Sequence, residues 1–176
     1  MDDQPLPSCI RPAVALDLHP ELAADLRFYD CWQPNRCGTP ILDFENGVAL
    51  ADFALAGAWE AQSPKVPIFI IGAMRDKRHC ADIEAGFLWA VAHKAMHGQL
   101  PPAGSLPPDL DDPTLHDDWR KGANLAAYDV EMARGRGDPG EITRHLKAGV
   151  RDGERYADFG GYCWAVISAA TAACGQ

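Results

Sequence analysis

Five prolines fall between residues 99 and 113 (Pro101, Pro102, Pro107, Pro108 and Pro113), and no regular helix or sheet ladder runs through such a stretch. Each proline removes a backbone donor and biases the residue before it toward extended conformation. The chain therefore reads as one helical domain over residues 1–176, with a proline-rich connector at 99–113. Polyproline conformation stiffens that connector and makes it the natural hinge.

On both sides of the connector apolar residues recur at helical spacing. Leu18, Leu22, Leu26 and Tyr29 mark a helix from Asp17 that ends at Pro34. Leu50, Ala51, Ala54, Leu55 and Ala58 mark a second, from an Asn46 cap to Ala61. The run Ile68-Phe69-Ile70-Ile71 suits a buried strand by its β-branched content. No partner strand exists for it, which favours a helix begun near Pro67. A broadly apolar helix spans His79 to His97, closed by Gly98. Beyond the connector, Asp112 caps a helix with Pro113 in its first turn and Leu115, Trp119, Ala123, Ala126, Val130 and Ala133 on one face. Residues 134–140 form a turn, and Asp138-x-x-Glu141 has the form of a capping box. Ile142, Leu146 and Val150 line the short helix that follows, and after Asp152-Gly153 a last apolar helix runs to about Cys174.

The expected fold is all-α: a compact non-parallel bundle of about six helices, with a minor β element near residues 66–72 as the only admixture. The helix ending at His97 and the last helix should be the most buried. No internal repeat is expected.

The chain carries 16 basic and 25 acidic residues, a net charge of −9. Duplex binding needs clustered cations that release counterions, so direct duplex nucleic-acid binding is not expected, and the balance suits a protein partner with a basic surface. The 17 residues from Phe159 to Gly175 are rich in glycine, alanine, serine, threonine and cysteine. That is too short and too weakly apolar for a bilayer span. The first residues carry no basic or apolar signal region, so a cytoplasmic protein with free thiols is expected. In an exported chain Cys31 and Cys37 are close enough to pair.

Several residue groups could carry chemistry. His93 and His97, four apart on one helix, could share Zn or Fe with a third ligand such as Asp82; no motif calls for any other cofactor. Cys163-Trp164-Ala165 resembles the start of the nucleophile helix of papain-like cysteine proteases. That likeness implies a thiolate at a helix N-terminus. The family's histidine lies downstream of its cysteine, whereas only 13 residues follow Cys163, so its base would be His116 or His145. The acids Asp109, Asp111, Asp112, Asp117 and Asp118 lack the glycine and terminal glutamate of a calcium loop. Gly135-x-Gly137-x-x-Gly140 matches the dinucleotide fingerprint in letters but follows no strand. Arg136-Gly137-Asp138 is the tripeptide of integrin ligands, but the expected intracellular chain gives it no such partner.

Loop aromatics favour interfaces. The expected contact residues are Trp32 and Tyr29, together with Asp109, Asp111 and Asp112. The leading expectation is a small acidic protein-binding module, an occluder of the kind that inhibitors, immunity proteins and antitoxins are. The alternative is a hydrolase, metal-dependent through His93 and His97 or cysteine-dependent through Cys163.

Overall fold

A computed structural model describes residues 38–76, 81–108, 110–152 and 158–176. Six α-helices account for most of these: α1 (Pro40–Glu60), α2 (Lys65–Asp76), α3 (Ala81–Ala95), α4 (His116–Arg136), α5 (Gly140–Asp152) and α6 (Phe159–Ala173). They pack against one another as an all-α bundle, and the described residues contain no strand. The β element near residues 66–72 is therefore replaced by α2, whose first residue Lys65 donates its amide to Ser63 Oγ at 3.4 Å. No described helix is long and apolar enough to cross a membrane.

The helix starts explain two departures from expectation. α1 begins at Pro40, six residues before Asn46, because Thr39 is its cap and Pro40 takes the first turn. The Leu42 amide donates to Thr39 Oγ1 at 3.3 Å, and Asn46 is buried within the helix. Asp112 does accept from the Thr114 amide at 2.9 Å, but the turn it caps is 3-10, Pro113–Leu115, and α4 follows. Asp138 caps α5 through the Gly140 amide at 2.9 Å. Glu141 turns forward to Arg144, so the capping box is half made.

The chain repeats itself, contrary to expectation. Helices of 21, 12 and 15 residues are followed by helices of 21, 13 and 15. α1 packs along α3 as α4 packs along α6. Both crossings are made by glycines 75 positions apart: Gly47 and Gly122, Gly86 and Gly161. A Cβ at Gly47 would collide with the Ile83 carbonyl, and one at Gly122 with that of Asp158. A Cβ at Gly86 would strike the Phe44 carbonyl, and one at Gly161 that of Trp119. Each clashing residue is itself 75 positions from its counterpart. The same offset pairs Gly86-Phe87-Leu88-Trp89-Ala90-Val91 with Gly161-Tyr162-Cys163-Trp164-Ala165-Val166.

The third helix of each half forms the centre. Phe87, Leu88, Val91 and Ala95 of α3 are buried, as are Trp164, Val166, Ile167 and Ala170 of α6, and the two helices pack on one another. The connector is pinned at both ends by α4. Arg134 donates its Nε to the Met96 carbonyl at 2.8 Å and its Nη2 to that of Gly98, and His116 Nε2 meets the Leu110 carbonyl at 3.2 Å. Pro107, Pro108 and Leu110 line a 360 Å³ cavity with Trp119, Trp164, Ile68 and Phe69. The expected hinge is thus a roof over Trp164.

Candidate functional site

The two halves differ most where α4, α5 and α6 meet. Asp129, on the inner face of α4, is 1% exposed. Its Oδ2 accepts from the Tyr162 hydroxyl at 2.8 Å and from Nδ1 of His145. The other imidazole nitrogen, Nε2, lies 3.2 Å from Nη2 of Arg144. Arginine only donates, so Nε2 accepts and the imidazole proton resides on Nδ1. Arg144 Nη2 also donates to Glu141 Oε1, and this bond holds the Glu141 carboxyl below its ordinary range. Burial, followed by the Asp129 charge, pushes the Tyr162 hydroxyl far up, so it remains a donor. The ring of His145 meets that of Tyr162 edge-on at 5.6 Å.

This network opens on one side. Arg144, His145, Leu125, Ala148, Phe159 and Tyr162 are among the residues lining a cavity of 240 Å³. The ligand atoms of Asp129, Glu141 and His145 lie within 4.8 Å of one another, the one such trio among the described residues.

The first half shows that the bundle does not need this network. Seventy-five positions before Asp129, Glu141, Arg144, His145 and Tyr162 stand Ala54, Val66, Phe69, Ile70 and Phe87. All five are apolar, and Ala54, Ile70 and Phe87 are buried in the core. The same helix triple is built with hydrocarbon in one half and a charged network in the other.

A second contrast concerns the paired tryptophans. Trp164 lies 8% exposed beneath the connector, whereas Trp89 is 38% exposed. Trp89 lines an open groove of 520 Å³ with Thr143, Arg144, Lys147 and Arg151 of α5. Among the described residues nothing plays the connector's part over it. Phe44 tilts against Trp89 at 6.0 Å, and His93 stacks on it at 5.1 Å. His97 stands edge-on to His93 at 5.1 Å. One turn before Phe44, Ile41 is 72% exposed. The result is a surface strip of aromatic and apolar groups across α1 and α3.

The expected site residues are scattered. His93, on α3, and His97, in the turn after it, are exposed neighbours, but no His, Cys, Asp or Glu joins them as a third ligand among the described residues. Cys163 is buried in the second turn of α6, and burial pushes its thiol far up, away from a reactive thiolate. His145, the base considered for it, is bonded to Asp129 instead. Asp111 and Asp112 are exposed. The Thr114 hydroxyl and amide hold the Asp112 carboxyl low, as befits a cap. Asp117 and Asp118 pair with Arg120 and Lys121 one turn on. Trp32, Tyr29, Asp109, Cys31 and Cys37 lie outside the described residues. A helix, not a strand, leads into the Gly135–Gly140 string.

Comparison with protein-family models, with curated proteins and with solved structures yields no match.

Proposed function

We propose that the chain is a protein-binding module, an acidic occluder of a protein partner, whose contact surface centres on Trp89. The observation that carries this reading is the paired tryptophan. Packing covers Trp164 almost completely, yet its counterpart stands 38% exposed beside Phe44, Ile41 and His93. Exposed aromatics at the centre of a rigid patch are the side chains that carry most binding energy in protein interfaces. The net charge of −9 favours a basic partner at long range, while the groove beside Trp89 itself carries Arg144, Lys147 and Arg151 along with Asp138 and Asp152. The burial of the Cys163 thiol, and a His93–His97 pair with no third ligand among the described residues, favour this reading over the hydrolase alternative.

The test is a photo-crosslinking amino acid placed at His93 in the full chain, with a second version carrying it at exposed Asn124. A single protein adduct from position 93, absent from position 124 and lost with Trp89→Ala, is the expected result. Crosslinking of position 93 only to residues 1–37 of the same chain would overturn the proposal, because the strip would then be covered from within.

A further inference from the structure

We infer that Glu141 and His145 form a binding site for a divalent d-block cation such as Zn²⁺, with Asp129 orienting the imidazole and Arg144 acting as the competing cation.

The argument begins with what Arg144 does. A single guanidinium nitrogen, Nη2, is bonded both to Glu141 Oε1 and to the Nε2 lone pair of His145. A carboxylate oxygen and an imidazole lone pair converging on one point of positive charge are the donor set of zinc and its neighbours. Behind the imidazole, Asp129 accepts the Nδ1 proton. That is the carboxylate–histidine–metal relay that fixes the tautomer and raises the basicity of the ligating nitrogen. The Asp129 carboxylate is in turn held by the Tyr162 hydroxyl. Binding through Nε2 therefore needs no proton to leave the histidine.

Charge and access agree with this assignment. Two carboxylates and a neutral imidazole carry two negative charges, which one divalent ion balances once Arg144 swings aside. The Arg144 side chain is 63% exposed and free to do so. His145 and Arg144 line the 240 Å³ cavity, so water or a small ligand can reach the imidazole. The five apolar counterparts in the first half show that hydrocarbon suffices for the fold at these positions. The network is thus confined to the half that opens the cavity. Arg144 borders both this site and the Trp89 groove, but the ligands Glu141 and His145 do not line that groove, and the inference does not rest on the Trp89 reading.

The test is calorimetric titration of the full chain with Zn²⁺ at neutral pH, followed by Co²⁺ absorption as a report on ligand type. One equivalent should bind with a d–d band, and His145→Gln or Glu141→Gln should weaken binding by at least tenfold. Arg144→Ala should tighten it several-fold, because a competitor has been removed; a merely structural arginine would not give that sign. His93→Ala with His97→Ala should leave it unchanged. Where a single variant fails to fold, the triple exchange Asp129→Ala, His145→Ile, Tyr162→Phe installs the first half's own side chains and should fold without binding metal. Saturable binding that survives His145→Gln, or no binding by either the wild type or Arg144→Ala, overturns the inference.

Discussion

The two halves of this chain solve one packing problem with different chemistry. In the first, the counterpart positions Ala54, Ile70 and Phe87 are hydrocarbon buried in the core. In the second, Asp129, His145 and Tyr162 are a carboxylate and its donors. Helix crossings are set by the glycines, which both halves keep, while the side chains beyond the crossing are free to diverge. A buried charged group is weak evidence for stability, since well-packed hydrocarbon often does as well or better. Here the molecule contains its own control.

The sharpest way to break this comparison is to move one charge across it. Ala54→Asp puts a carboxylate into the hydrocarbon core, where Ile70 and Phe87, the counterparts of His145 and Tyr162, can donate no hydrogen bond. An uncompensated buried charge costs roughly 4 kcal/mol or more, so the variant should be largely unfolded by circular dichroism. A cooperative, wild-type-like unfolding curve would mean that the first half tolerates polarity and that the contrast is shallow.

The tryptophans sharpen it next. Trp164→Ala should cost about 3–5 kcal/mol, as for a large buried aromatic, whereas Trp89→Ala should cost about 1 kcal/mol or less, as for a half-exposed one. Urea unfolding of the two variants side by side measures the difference. Equal losses would remove the distinction between a packed and a presented side chain.

The smallest effect is in the alkaline range. Burial and the Asp129 charge raise the Tyr162 hydroxyl above its ordinary 10.0. A group raised on folding contributes fully below its unfolded value, and that contribution is lost as pH climbs past it. Wild type should therefore lose about 1.4 kcal/mol between pH 8 and pH 11 that Tyr162→Phe does not lose. Parallel decline of both proteins would show that the hydroxyl is not held as described.

Much of the fold was legible in the sequence. Helical spacing identified the helix ending near His97, and the last helix, as the buried pair. The Asp112 and Asp138 caps were legible because a short acceptor before a proline is a local signal. The start of α1 was missed because Pro40 reads as a breaker unless Thr39 is recognised as its cap. The repeat was missed because the halves share mainly small residues and differ in polarity, so similarity survives in spacing more than in letters. The network was hidden for a related reason. Asp129 falls on the same face as Ala126, Val130 and Ala133, and an acid on an apolar stripe was the available clue. In the sequence His145 stands out only as a base for Cys163, since sequence distance does not reveal which helices will meet.

The glycine crossings also bear on descent. Gly47 to Gly86 and Gly122 to Gly161 each span 39 residues, and at all four a neighbouring backbone fills the place of a methyl group. Drift can rewrite the surface, the roof and even the charged network while those four positions stay closed to change. A distant cousin of this chain would be recognised by that ruler, two equal intervals of glycine, long after its side chains had stopped resembling these.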